Sequence, residues 1–150
     1  MTLHKNNKYI ITFIIFLGIF FVCVLVFTKF NVFKKIDVST LDDTLNAEEF
    51  YVMKDQPNIE ILDLRTPEEY NYGHIEGVTN INFYDTLKFI SEIEKLDKNK
   101  RFLIYCRTDR RSGRTLEIMR EKGFANIYLL KGGILAWKLD GRPVIKERIK

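Results

Sequence analysis

The chain has 150 residues, 46% apolar and 29% charged, a balance that excludes intrinsic disorder and leaves room for one domain of ordinary size. Its net charge of +4 comes without the long basic run or basic helix face of a nucleic-acid binder, so no nucleic-acid partner is expected. The two cysteines, Cys23 and Cys106, are too few for a disulfide framework, and no Cys or His pair has metal-ligand spacing; no metal or other cofactor is expected.

Residues 1–8 form a short basic tail, and residues 9–27 (YIITFIIFLGIFFVCVLVF) carry no charge. At about 1.5 Å per residue this run reaches roughly 28 Å, close to the hydrocarbon thickness of a bilayer. Lys5 and Lys8 precede it, and Lys29, Lys34 and Lys35 follow it. A cleavable signal peptide would have a shorter core, about 7–15 residues, ending in small residues. Here the run ends Val26-Phe27-Thr28-Lys29-Phe30, and Phe20, Phe21 and Val22 stand where a lipidation signal would need a small residue before Cys23. The pattern predicts an uncleaved single-pass membrane anchor, with Cys23 a small apolar residue within it. Basic residues balance at its two ends, so their count does not orient it. The short basic tail leans towards a cytoplasmic N-terminus and an extracytoplasmic domain. Residues 28–37 read as a tether, and residues 38–147 as the domain.

In that domain helix-like and strand-like segments alternate, which predicts an α/β layer fold with a mainly parallel sheet. Thr44 or Asn46 is placed to cap a helix through Ala47, Phe50 and Met53, with Glu48 and Glu49 at its positive end. Ile59 to Leu64 reads as a strand, and Thr66-Pro67-Glu68-Glu69 as the start of a short helix with Pro at its first position. Val78 to Ile81 reads as a brief strand. Leu87, Ile90, Ile93 and Leu96 give helical spacing between Asp85 and Leu96. Arg101 to Tyr105 (RFLIY) has the apolar run of a buried strand and leads into Cys106. A helix from Ser112 to Lys122 ends before Gly123, a strand covers Ile127 to Leu130, and Gly132-Gly133 opens a short helix holding Ile134, Leu135 and Trp137.

Cys106, between a strand end and a helix start, lies where open α/β sheets place their ligands. Converging N–H groups of the loop and the positive end of the helix near Ser112 favour thiolate over thiol. Arg107, Arg110, Arg111 and Arg114 gather positive charge nearby, suited to a local anion site. A free cysteine is often only a small buried residue, but that reading leaves the arginines without a purpose.

The segment Cys106-Arg107-Thr108-Asp109-Arg110-Arg111, followed by Ser112, resembles the cysteine loop of single-domain rhodaneses. Asp63-Leu64-Arg65-Thr66-Pro67-Glu68-Glu69-Tyr70 is similar to that family's D-x-R-x-x-x-E-[FY] segment. Gly73-His74-Ile75-Glu76-Gly77-Val78 resembles G-H-I-x-G-A, and Gly132-Gly133-Ile134-Leu135-Ala136-Trp137 resembles its closing G-G-x-x-x-W. The four motifs come in the family's order and span roughly residues 38 to 145. Asp109 departs from the Gly that many members carry at the fourth loop position, and its carboxylate would trim the positive potential or pair with a loop arginine.

The resemblance implies a three-layer fold and sulfur transfer in two steps. Cys106 takes the outer sulfur of a small anionic donor such as thiosulfate, becoming a persulfide, and a thiol or cyanide acceptor removes it. Arg107, Thr108, Asp109, Arg110, Arg111 and Ser112 would bind the donor or steady the persulfide, Arg111 alternatively pairing inward. Asp63 and Arg65 would line the site or, more naturally, form ion pairs that hold the loop, with Glu69 a partner for Arg65. His74 is expected to make a structural hydrogen bond rather than act as a base, and Trp137 to lie in the core.

Two other classes compete. Cysteine phosphatases and arsenate reductases usually place five residues between Cys and Arg; the four between Cys106 and Arg111 make a smaller cradle, better suited to a sulfur atom. A membrane-tethered binding module, or a carrier loaded by one partner protein in a sulfur relay, would keep the fold while showing weak activity of its own.

Overall fold

The structure, a computed structural model, describes residues 15–21 and 43–146. The chain divides into two units, Met1–Ile36 and Asp37–Lys150. In the first, residues 15–21 form helix α1, on which Ile15, Phe16, Leu17, Ile19, Phe20 and Phe21 are all exposed. The rest of the apolar run 9–27, with Cys23, and the tether 28–37 lie outside the described residues. Among the described residues no helix is long and apolar enough to cross a membrane.

The second unit is an α/β domain. Its elements are β1 (Thr44–Leu45), α2 (Ala47–Lys54), β2 (Ile59–Asp63), α3 (Pro67–Tyr72), β3 (Thr79–Asn80), α4 (Thr86–Glu94), β4 (Arg101–Tyr105), α5 (Arg110–Glu121), β5 (Ile127–Leu130) and α6 (Gly133–Leu139). The five strands form one sheet in the order β1-β5-β4-β2-β3, with every neighbouring pair parallel.

Local chemistry explains the boundaries. Asn46, not Thr44, caps α2: its Oδ1 accepts from Glu49 N at 3.0 Å, and Glu49 Oε2 accepts from Asn46 N at 2.9 Å. Thr44 instead belongs to β1, a strand too short to leave a periodic signal in the sequence. Thr66 caps α3 in the same reciprocal way, with Pro67 at the first helical position, where its missing N–H costs nothing. Helix α5 begins at Arg110, two residues before the expected Ser112, because Gly113 N already donates to Asp109 O at 2.7 Å. The non-helical part of the cysteine loop is therefore only Cys106 to Asp109.

Strand β4 is buried on both faces, and its alternation divides the core. Leu103 and Tyr105 pack with Phe50, Met53, Ile134 and Trp137 under α2 and α6. Phe102, Ile104 and Cys106 pack with Phe89, Ile93, Leu116 and Met119 under α4 and α5. This is the three-layer arrangement, each large side chain contributing about 1.5–3 kcal/mol by leaving water. Trp137 is fully buried, edge-on to Phe50 at 5.9 Å, with its Nε1 donating to Pro143 O at 2.8 Å. The same alternation sends Tyr105 and Cys106, neighbours in sequence, to opposite sides of the sheet.

Candidate active site

Cys106 follows the carboxyl end of the central strand β4, and its residue is only 1% exposed. It forms the floor of a depression of about 290 Å³ walled by Glu69, Tyr84, Arg107, Thr108, Arg110 and Arg111. Of the loop residues, Arg107, Thr108, Asp109 and Arg110 are exposed, whereas Arg111 and Ser112 are buried. Among the described residues neither the Arg107 nor the Arg110 side chain makes a hydrogen bond or ion pair, so two free guanidinium groups line the depression over the sulfur. Asp109 pairs with neither; its part is its carbonyl, which accepts from Gly113 N and from Ser112 Oγ at 3.1 Å.

Ser112 is the group nearest the sulfur in hydrogen-bonding terms, with Oγ 3.5 Å from Cys106 Sγ. Its single proton can serve one acceptor at a time. While the cysteine is a thiol, S–H donates to Oγ and the hydroxyl donates to Asp109 O. Once the thiolate forms, the hydroxyl can turn and donate to sulfur instead.

Arg111 is turned inward and holds Glu69 with both terminal nitrogens, Nη1 to Oε2 at 2.6 Å and Nη2 to Oε1 at 2.9 Å. Glu69 is thus the partner of Arg111 and not, as the sequence suggested, of Arg65. The bonds from Arg111 hold the Glu69 carboxyl below the usual carboxylate range, and those to Glu69 raise the Arg111 pKa above its ordinary value. The guanidinium also lies over the Tyr84 ring, 5.3 Å from its centroid. Arg111 therefore fastens the end of the loop to α3 while its charge is largely answered.

On the opposite sheet face a second network braces β4. Arg65 Nη2 meets Asp63 Oδ2 at 2.5 Å and Gly73 O at 2.9 Å, and Arg65 Nε meets Asp63 Oδ1 at 2.9 Å. Burial opposes the Arg65 charge, but these bonds to Asp63 outweigh it and raise its pKa. Tyr105 Oη donates to Asp63 Oδ2 at 2.7 Å and accepts from Ile75 N at 3.3 Å. Burial, followed by the Asp63 charge, pushes the Tyr105 hydroxyl far above its ordinary range, so it stays protonated. Asp63 and Arg65 pair with each other and do not wall the cysteine depression. His74 lies stacked on Tyr70 at 3.7 Å, and its Nδ1 donates to Tyr70 O at 3.0 Å, as a structural histidine would.

A third support comes from α6. Ile134 N donates to Cys106 O at 2.9 Å and Leu135 N to Arg107 O at 3.3 Å, so the first turn of the helix holds the start of the loop by its carbonyls. That approach needs a glycine: a Cβ on Gly133 would lie 2.6 Å from Cys106 O and 2.7 Å from the carbonyl carbon and oxygen of Arg107. Sequence reasoning missed this role, the Glu69–Arg111 pair, Tyr84 and the hydroxyl of Tyr105. The Gly132-Gly133 pair was a visible signal; Tyr84, an aromatic in a polar turn, left none.

A parallel three-layer sheet carrying a cysteine loop in an arginine-walled depression at its carboxyl edge defines the class. Residues 46–140 match the rhodanese-like domain family, and the chain belongs to it. It is 35% identical over 94 residues to the Bacillus subtilis protein YqhL, covering 63% of this chain and 71% of that one. It is 30% identical over 109 residues to the tRNA uridine(34) hydroxylase of Erwinia tasmaniensis, covering 71% of this chain. The match spans only 31% of that hydroxylase's length. Among solved structures, a rhodanese-related protein from Thermoplasma volcanium superposes with a TM-score of 0.61 at 28% identity, covering 69% of this chain and 98% of that one.

Proposed function

We propose that the domain is a sulfurtransferase that carries sulfane sulfur as a persulfide on Cys106. The observation that carries this reading is the placing of the Cys106 sulfur at the floor of a depression with two unpaired arginines, Arg107 and Arg110, at its walls. The Cys106 thiolate attacks the outer sulfur of an anionic donor such as thiosulfate. The sulfur–sulfur bond of the donor breaks, sulfite leaves with the electron pair, and Cys106 keeps one added sulfur. Arg107 and Arg110 steer the donor and offset its charge, while loop N–H groups and the Ser112 hydroxyl stabilise the anionic sulfur. A thiolate or cyanide then attacks the terminal sulfur, and the Cys106 thiolate is the leaving group. No proton need move at the sulfur once the thiolate exists, which agrees with the structural role of His74.

The test is the intact mass of the purified full-length chain after thiosulfate treatment. The reading requires the gain of one sulfur atom, located on Cys106 and removed by cyanide. Failure to load from any small donor would favour the second reading, a carrier charged only by a partner protein. The hydroxylation named for the tRNA-modifying relatives is not part of the proposal, because the chain spans about a third of their length.

The apolar run 9–27 is proposed to tether the domain to a membrane. The uncovered Ile15, Phe16, Leu17, Ile19, Phe20 and Phe21 of α1 support this, since a contiguous exposed apolar surface calls for lipid or protein cover. Retention in the membrane pellet after alkaline extraction is the expected result, and protection from added protease in intact cells with a permeable outer boundary would argue against the extracytoplasmic side.

A further inference from the structure

Beside the cysteine depression, and sharing Glu69 and Arg107 with it, a second hollow of about 460 Å³ runs between α3 and α6. Its apolar surface comes from Tyr72, Ile134 and Leu135, set among the charged Arg65, Glu68, Glu69, Arg107 and Lys138. Tyr72 is 73% exposed and Leu135 41% exposed, above the buried Ile134. Ile134 is also the residue whose N–H holds the Cys106 carbonyl, so the floor of this groove is bonded to the nucleophile's own backbone.

The charges of the groove do not balance. Arg65 is answered by Asp63, and Glu69 by Arg111. What remains is Arg107 next to the cysteine depression and Lys138 at the other side, 5.7 Å from the Tyr72 ring centroid, with Lys146, outside the lining, 5.1 Å from the same ring. Against these three cations stands the exposed carboxylate of Glu68. An apolar trough with a surplus of positive charge at both ends, opening onto a sulfur carrier, suits one kind of occupant.

We infer that the groove between α3 and α6 docks an acidic peptide segment bearing a cysteine, so that the sulfur acceptor is a protein thiol of acidic surroundings. The inference rests on the persulfide reading above. Tyr72 and Leu135 take the apolar side chains of the segment, and Lys138 and Lys146 take its carboxylates, leaving Arg107 beside the incoming cysteine. The acceptor thiolate attacks the terminal sulfur of the Cys106 persulfide. One sulfur–sulfur bond breaks and one forms, the Cys106 thiolate departs with the electron pair, and no oxidant or reductant is consumed. An RNA ligand would use the cations and could stack a base on Tyr72 but would leave Leu135 and Ile134 unmatched, and surface complementarity of charge acts chiefly on the rate of encounter.

The experiment uses the full-length chain in detergent, loaded with thiosulfate and freed of donor. Transfer is followed by mass to two synthetic peptides of equal length, each with one cysteine and one leucine, flanked by glutamates in one and by lysines in the other. The acidic peptide should accept sulfur about tenfold faster at low salt, with the advantage shrinking as salt rises. Lys138→Glu with Lys146→Glu should remove that advantage while loading by thiosulfate and unloading by cyanide stay unchanged. Equal rates for both peptides, or a preference that survives the double substitution, overturn the docking proposal and leave the persulfide reading intact. Competition by a short RNA equal to that of the acidic peptide also overturns it, because the groove would then be a polyanion site. Absence of loading by thiosulfate overturns the small-donor reading and, because the docking proposal rests on it, the docking proposal with it.

Discussion

Arg111 and Glu69, far apart in sequence, meet through two parallel N–H···O bonds of 2.6 and 2.9 Å at the wall of the cysteine depression. The arrangement uses the planar fork of arginine, which a lysine cannot reproduce. It makes the last residue of the loop a fastening point on α3. Replacing Glu69 by Gln should therefore cost about 1–3 kcal/mol of stability by leaving a buried guanidinium poorly answered. Sulfur transfer should fall as the loop loosens, and Arg111→Lys should fall with it. Thermal melts and thiosulfate-to-cyanide rates on the same preparations check both.

The same pair sets a pH window. The Glu69 carboxyl is held below its ordinary 4.5 by Arg111, so it binds a proton less readily in the folded chain than in the unfolded one. Its stabilising effect is complete above the unfolded pKa and is lost as pH falls through the folded value. The stability gap between wild type and Glu69→Gln should stay constant from neutrality down to about pH 5 and narrow only below that. A gap that closed already near neutral pH would show that the carboxylate is not held by Arg111.

Ser112 offers a sharper test of the chemistry. With its Oγ 3.5 Å from the sulfur, Ser112→Ala removes the one side-chain hydrogen bond at Cys106 among the described residues. A hydrogen bond to a charged group contributes about 1.5–3 kcal/mol, so the rate of persulfide formation should drop roughly ten- to a hundredfold with little change in melting temperature. Thr115, whose hydroxyl donates to Arg111 O at 2.9 Å, lies one turn further on; its Ala variant should lose stability but little rate per folded molecule.

Gly133→Ala should be damaging well beyond its size. The added methyl would meet the Cys106 and Arg107 backbone at 2.6 to 2.7 Å, with φ at +59°. Positive φ alone costs about 1–2 kcal/mol in a residue with a Cβ, and backbone cannot step aside as a side-chain tip can. Gly132→Ala shares the positive φ of +72°, but its methyl meets the Ala136 methyl at 2.7 Å rather than the loop. Both variants should melt lower, while loss of transfer per folded molecule should belong to Gly133→Ala.

On the other sheet face, Tyr105→Phe removes the hydroxyl between Asp63 and Ile75. It leaves a buried N–H without its acceptor, a loss of about 1–3 kcal/mol. Because Tyr105 does not ionise in the working range, its removal should leave the alkaline side of the pH–rate profile unchanged. A shifted alkaline limb would mean that the tyrosine reaches the sulfur electrostatically despite pointing away from it.

The layer order was legible because the signals were strong and local. Thr66 announces a helix start, Thr44 or Asn46 leaves the other start open by two residues, RFLIY announces a buried strand, and Gly123 closes α5. Val78 to Ile81 read as a brief strand and holds β3, but the two-residue β1 left no signal, and the pairing of both with β5 and β2 is decided by neighbours distant in the chain. At the site, the loop from Cys106 to Ser112 was read directly from residue types. Who holds it was not. Whether Glu69 turns to Arg65 or to Arg111 depends on where α3 sits over α5, and both arginines look alike as letters. The alternation of β4 did hold the clue that Tyr105 and Cys106 serve different faces, a consequence of period two that needs no coordinates once the strand is placed.

The dependence of the cysteine loop on α6 also fixes when the molecule becomes reactive. A chain made from its N-terminus presents Cys106 before Gly133, Ile134 and Leu135 exist. Until those residues arrive, the carbonyls of Cys106 and Arg107 lack the N–H groups of Ile134 and Leu135 that hold them. Interrupted synthesis would therefore release a fragment with every charged residue of the loop and none of its geometry. The geometry on which the proposed persulfide chemistry depends is complete only once α6 is in place.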